Sequence, residues 1–395
     1  MRNIFKNLKV SWLVGVLVLA SFFGLAGGLV GSLLSRVYLW QDFYQLPFFG
    51  QIDFNGRQNQ GIIIRDAKKV IVEQNTKVGQ TINDVISSLV GIYKKQKVSQ
   101  SDTFDINNYY QLDKFSGQGL ILTSDGWIVT AFQPETLTTG QNLKQPPLAE
   151  YVIITADKKI YSVDKIVKDK LTSFVFLHVA AKDFPVKIFT EEPEIKAGNL
   201  VLAVNFLGQS WLTSMVGLTK KSNSLINSSD NFSTILKLAE PAGEEFKDAM
   251  LFNLNAEVFG LIDSQSQARP IGQLTGAIKS LLKYKEVKRA SLGINYLELD
   301  DLVNPENQTG SALTKGAVIY KDKIANLPAV AKGSAAEAAG LKEGDLIISI
   351  DNLILDKTNN LTNIIQSHLA GDEIKIICQR AGQTKEVLVK LKELK

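Results

Sequence analysis

Residues 117–133, GQGLILTSDGWIVTAFQ, constrain the fold of this chain more than any other stretch. Leu120, Ile121 and Leu122 lead into Ser124-Asp125-Gly126, and Trp127, Ile128, Val129 and Thr130 lead out. Two short apolar runs about an Asp-Gly turn predict a β-hairpin. Runs of similar length follow at 151–156, 160–168 and 171–179, and again at 374–379 and 386–391 near the C-terminus. The spacing predicts a mainly β chain. With 395 residues, 45% of them hydrophobic, there is material for two or three domains with sizeable cores.

Composition removes several function classes. The single cysteine, Cys378, rules out an intrachain disulfide framework and a cysteine-rich zinc site. Two histidines, His178 and His368, leave little imidazole chemistry, and no metal or other cofactor is expected. His178 falls within the alternation of a predicted strand and reads as a strand-face residue. The net charge of +4 comes from Arg2, Lys6, Lys9 and Arg36; the rest of the chain balances 40 basic against 40 acidic residues. No basic domain suggests nucleic acid.

Residues 11–34 contain no charge over 24 positions. A helix of that length is long enough to cross a hydrocarbon core of about 30 Å. Arg2, Lys6 and Lys9 precede it, which keeps the N-terminus cytoplasmic and the bulk of the chain outside the cell membrane. A signal-anchor is predicted over 11–35, with a cleaved signal peptide as the alternative, although the apolar core of such a peptide is normally shorter. Tyr38, Trp40, Phe43, Tyr44, Phe48 and Phe49 follow, suited to the headgroup level of a bilayer. Residues 36–61 read as a juxtamembrane linker, and the polar stretch 222–231 further along as a surface loop.

The hairpin pattern, Gly-x-Gly, apolar pair, Ser-Asp-Gly, aromatic, apolar pair, Thr, closely resembles the first-barrel hairpin of the HtrA/Deg family of trypsin-like serine proteases. Residues 194–205 and 212–218 resemble the entry into that family's second barrel, and 251–262 the strand pair after its nucleophile. The resemblance implies a chymotrypsin/trypsin-like double six-stranded β-barrel over 62–286. In the family the early aromatics help hold a trimer, so a homotrimer, or a hetero-oligomer with an active relative, is a second reading of that cluster.

Residues 287–395 read as a second domain. The run 331–347, AKGSAAEAAGLKEGDLI, resembles the signature of bacterial PDZ domains, an α+β fold, and Ser291-Leu292-Gly293-Ile294 resembles their carboxylate-binding loop. The amides of Leu292, Gly293 and Ile294 are then expected to hold a peptide's C-terminal carboxylate, with the strand from Ile294 pairing to the peptide. Ile364, Ile365 and His368 are expected to line the side-chain pocket, and Lys288 or Arg289 to attract the carboxylate. A PDZ fold that packs on the barrels and binds nothing remains the alternative.

The positions matching the family's His, Asp and Ser carry Gln133, Ser173 and Lys247. The trypsin-like mechanism needs a nucleophile, a base within hydrogen-bond reach and an orienting acid. Glutamine takes no proton at neutral pH. Residues 245–249, EFKDA, also lack the glycines that present amides to an oxyanion cheaply. A Ser/Lys dyad through Lys247 is disfavoured because Glu244, Glu245 and Asp248 stabilise the charged amine. The expectation is a membrane-anchored pseudoprotease that binds C-terminal or unfolded peptide segments in envelope quality control or regulation. The alternatives are an active membrane-anchored serine endopeptidase and a passive envelope scaffold.

Overall fold

A computed structural model describes residues 19–21, 23–24, 65–97, 104–134, 150–190, 195–221, 224–303 and 315–395. The aromatic cluster at 38–49 and the linker at 36–61 lie outside the described residues, as does most of the predicted membrane span. Residues 19–21 and 23–24 are helical. Among the described residues no helix is long and apolar enough to cross a membrane.

Residues Lys68–Lys395 form one compact unit. Helix α1 (Arg65–Ile86) leads into a closed six-stranded barrel: β1 (Leu89–Lys94), β2 (Gly117–Ile121), β3 (Trp127–Thr130), β4 (Tyr151–Thr155), β5 (Ile160–Lys168) and β6 (Val175–Val179). Its closing order is β1-β2-β3-β6-β5-β4. The predicted hairpin forms as β2–β3, with Leu120 opposite Val129 and Leu122 N–H donating to Trp127 across the turn. Gly126 has φ +108, and a Cβ there would fall 2.0 Å from the carbonyl oxygen of Val179, so both conformation and space demand glycine. The strand predicted to begin at residue 171 begins at Val175 instead. Asp169 and Thr172 build a turn first: Leu171 N–H and Thr172 Oγ1 both donate to the Asp169 carboxylate. Side-chain acceptors there compete with the strand ladder for the backbone.

A second closed barrel holds β7 (Leu200–Val204), β8 (Ser210–Lys220), β10 (Thr234–Leu238), β11 (Met250–Phe252), β12 (Val258–Ile262) and β13 (Ala268–Pro270). Helix α2 (Thr275–Tyr284) follows, entered through a 3-10 turn over residues 271–274. Val85 of α1, Leu120, Phe174 and Phe176 of the first barrel, Leu202 and Phe252 of the second, and Leu281 of α2 share one buried cluster. That cluster fixes the barrels against each other.

The C-terminal part is built on β15 (Asn295–Glu298), β16 (Ala317–Ile319), β17 (Leu346–Ile350), β19 (Glu373–Arg380) and β20 (Gln383–Lys390). The short hairpin strand β18 (Leu353–Ile354), α3 (Ala335–Ala338) and α4 (Leu361–Ser367) complete it, and β14 (Ala290–Ser291) pairs with β21 (Lys392–Glu393). Leu292, Ile294, Ile347, Ile364, Ile365, Ile376 and Cys378 meet in its core. Helix α4 stops at Ser367, so His368 caps it rather than extending it. The sheet acquires one further strand from outside the domain. Residues 222–231, read above as a polar loop, contain β9 (Ile226–Ser228), which pairs with β15.

Candidate functional site

The barrel positions matching the family's triad come only partly together. The Gln133 amide, just past β3, donates to the backbone carbonyl of Ser173, and also to that of Ala131 at 3.4 Å. The Ser173 hydroxyl is buried and has no hydrogen-bond partner. Gln133 and Ser173 line an open cleft with Asp169, Lys221, Gln265 and Arg269; Lys247 is not part of its wall. Lys247 is exposed, and its carbonyl accepts from Gln118 Nε2 at 2.7 Å.

The backbone around Lys247 is folded inward. Glu244–Phe246 form a 3-10 turn in which Phe246 N–H donates to Gly243, Lys247 N–H to Glu244 and Ala249 N–H to Phe246, at 3.0–3.1 Å. Oxyanion stabilisation needs amides aimed at the substrate, and these three are already spent. Asp248 sits between them with φ +60, a left-handed conformation costly for a residue with a Cβ. Its Oδ1 is buried without a partner. Burial, reinforced by the nearby Asp263 and opposed by Lys247, pushes its carboxyl up to about 6. The histidines are engaged elsewhere. His178 Nδ1 lies 2.6 Å from Asp164 with its ring against Trp127, and His368 faces Asp351 and Asp372 at 3.6 and 3.8 Å.

The PDZ loop is organised quite differently. Gly293 has φ +81, and the loop it turns presents three successive amides. Leu292 N–H and Gly293 N–H donate to Asp230 Oδ1 at 3.0 and 3.2 Å. Gly293 N–H and Ile294 N–H both donate to Ser229 Oγ at 3.1 Å, and Ser291 Oγ donates to Asp230 Oδ2 at 2.5 Å. Successive amides of this kind form a nest for an anionic group. β9 then runs antiparallel to β15, with Ser228 opposite Asn295, Asn227 opposite Tyr296 and Ile226 opposite Leu297. Ser229 N–H donates to the Ile294 carbonyl at 3.0 Å. From the other side α4 closes the groove: Thr362 Oγ1 donates to the Ser228 carbonyl at 2.7 Å and Gln366 Nε2 to that of Ser229 at 3.1 Å. A strand added to a sheet edge, flanked by a helix and ending in a carboxylate held by amides, is the geometry of chain-end recognition.

Of the residues expected to line this groove, Leu292, Gly293 and Ile294 present their amides into it. Ile364 and Ile365 pack in the domain core, and the His368 ring points to Asp351 and Asp372. Arg289 does not reach the nest. It is buried and pairs with Asp169, Nη2 to Oδ2 at 2.5 Å and Nε to Oδ1 at 3.0 Å. Lys288 lies beside Glu286 and the Tyr284 ring. Sequence reasoning missed the pairing of Asp169 with Arg289, and it missed Ser229, Asp230, Thr362 and Gln366 altogether. No local pattern marks them, because each acts across a long stretch of chain.

Two six-stranded barrels packed together and followed by this domain define the class: a trypsin-like double barrel with one C-terminal PDZ domain. Residues 290–391 match the PDZ domain family. The Serine protease Do-like HtrA of Lactobacillus helveticus is 22% identical over 418 residues, covering 95% of this chain and 95% of that protein. The protein of the same name from Bacillus subtilis (strain 168) is 23% identical over 354 residues, covering 82% of this chain and 75% of its own length. Among solved structures, the HtrA-type protease AlgW with tripeptide is similar in fold at a TM-score of 0.51 and 16% identity, over 80% of this chain and 97% of that one. The chain thus carries a PDZ domain and is similar along most of its length to proteins named as HtrA serine proteases.

Proposed function

We propose that this HtrA-like chain is a membrane-anchored pseudoprotease, a binding protein that takes C-terminal or unfolded peptide segments in its PDZ groove. The observation that carries the reading is the loop at the end of an added strand, where the Leu292 and Gly293 amides hold a carboxylate and the Gly293 and Ile294 amides hold the Ser229 hydroxyl. It is a site chemically suited to a peptide's terminal carboxylate. The barrel contrasts with it. Glutamine at 133 cannot act as a base, Lys247 is exposed, and the Phe246, Lys247 and Ala249 amides are satisfied within their own turn. The uncharged stretch 11–34 behind Arg2, Lys6 and Lys9 supports the anchor, and the aromatics that follow it support a trimer, alone or mixed with an active relative.

The test has two arms on the full-length protein. Titration with a library of free-acid peptides is expected to find binders whose C-terminal amides do not bind. Incubation with a fluorophosphonate probe and with casein is expected to give neither labelling nor cleavage. The rival, a working serine endopeptidase, draws on the relatives, which are serine proteases by name; covalent labelling of any serine would establish it.

A further inference from the structure

Among the described residues, the groove that the proposed function assigns to incoming chain ends is already filled, and by the chain itself. The occupant belongs to the loop 221–233 between β8 and β10 of the second barrel. It satisfies each requirement of a bound peptide: ladder pairing to β15, contacts to α4 and a carboxylate in the nest. The difference is that the carboxylate is the side chain of Asp230, and the backbone continues past it to Asn231 and Phe232. Ser229 stands where a ligand's last residue would, since its N–H donates to Ile294, and Asn227 two positions earlier faces Tyr296.

The fit has two faults. The Asn227 Nδ2 and the Gln366 Oε1 are both buried in the groove without a hydrogen-bond partner. Asn227 is 3% exposed and Gln366 2%, so neither group reaches bulk water easily. Leaving a buried polar atom unpaired carries the full desolvation cost of that group. The segment therefore holds its place largely because it is tethered. A tethered ligand acts at an effective concentration in the millimolar range, which compensates for a mediocre fit.

We propose that Ile226–Asp230 is an internal competitive ligand that keeps the PDZ groove closed. It rests on the reading of this groove as a chain-end site and sets how that site is used. A free peptide enters only by expelling β9, and its apparent affinity is lowered by the fraction of molecules that are latched. The ligand it favours is a free C-terminal carboxylate preceded, two residues before the last, by an apolar side chain, which leaves no buried amide unpaired at the Asn227 position. Because β9 is continuous with β8 and β10, entry of a chain end also frees a loop of the second barrel.

The probe is the hexapeptide SLINSS, identical to residues 224–229, as free acid and as C-terminal amide, with a second free acid carrying Val in place of its Asn. Anisotropy titrations use full-length wild type, Asp230→Ala and Asn227→Val. Asp230→Ala removes the carboxylate from the nest and is expected to raise the affinity for the free acid at least about 10-fold. Asn227→Val removes the unpaired amide, tightens the latch and is expected to lower it. The Val peptide is expected to bind tighter than its Asn parent, and the amide form not at all. Hydrogen exchange at Leu292–Ile294 reports the latch directly: protected in wild type, exchanging in Asp230→Ala, and protected again on adding free acid. Equal free-acid affinity in all three proteins, with those amides protected throughout, overturns the latch and leaves the chain-end reading intact. Absence of free-acid binding to Asp230→Ala while its amides exchange freely overturns the chain-end reading itself.

Discussion

The amides around Lys247 and those of Leu292–Ile294 are the two places in this molecule where a trypsin-like barrel and a PDZ domain would each present backbone N–H groups to a negative charge. They have gone opposite ways. At 244–246 the chain coils into a 3-10 turn, the Phe246, Lys247 and Ala249 N–H groups bond within the same stretch, and Asp248 Oδ1 beside them is buried without a partner. At 291–294 a glycine in the left-handed region holds the turn open, and the amides converge on a carboxylate supplied from outside the domain. The lesson is that an anion site is a property of backbone shape first. Glu245, Phe246 and Lys247 permit a tight turn and take it; Gly293 permits a nest.

The sharpest way to break the comparison is to sever what joins the two regions. Asp169 lies four residues before Ser173, and its partner Arg289 lies three before Leu292, both fully buried. Asp169→Ala leaves Arg289 uncompensated in the interior and is expected to cost about 3–5 kcal/mol, read by urea denaturation. A loss under about 1 kcal/mol would mean that the PDZ domain is held on the barrels by other contacts. Next in size is Gly293→Ala. A Cβ at that position falls 2.3 Å from the Ser334 Cβ, at a φ that already disfavours it. The expected cost is about 2–3 kcal/mol together with loss of free-acid peptide binding. Retention of binding would show that the nest does not depend on that turn.

A smaller effect, of opposite sign, is expected on the barrel side. The Asp248 carboxyl is raised to about 6 by burial, so the folded state prefers it protonated. Its favourable contribution is complete below the unfolded-state value near 4 and is lost as pH rises through about 6. Asp248→Asn, which also tolerates the left-handed backbone, is expected to stabilise the protein by roughly 2 kcal/mol at pH 7.5 and by almost nothing at pH 4. Thermal melts across that range check it; a gain independent of pH would mean that backbone strain, not charge, is the source. The smallest effect expected is no effect. Restoring side chains with Gln133→His, Ser173→Asp and Lys247→Ser together is expected to give no fluorophosphonate labelling, because the amides of Phe246 and Lys247 remain tied within their turn. Labelling of Ser at 247 would show that the barrel lacks only its side chains.

What the sequence revealed and what it hid divide along the same line. The β2–β3 hairpin was legible because its turn chemistry lies between the strands it joins, and the PDZ run at 331–347 because α3 and its flanking turns are contiguous. Gln133 and Ser173 were found by resemblance, and the fold does bring them together. The false strand start at 171 came from reading an apolar run without the Asp169–Thr172 bonds that interrupt it. Arg289 was expected to attract a peptide carboxylate, yet it is buried and its partner lies 120 residues away. β9 was the hardest to see. Ile226 is its only apolar residue, no alternation marks it, and its partner strand lies in the next domain. A three-residue strand held by its neighbours' amides rather than by its own side chains leaves no trace in hydropathy.

One contact fixes the dimensions of the groove. Gly276 of α2 lies so close to the far side of α4 that a Cβ on it would sit 1.9 Å from the Gln366 carbonyl oxygen. Lys279 Nζ reaches the Ser367 carbonyl from the same side, at 3.1 Å. The rear wall of the slot is thus braced on the barrels and cannot retreat to admit a second occupant beside the first. The cavity behaves as a gauge one strand thick, and its contents can be exchanged but not shared.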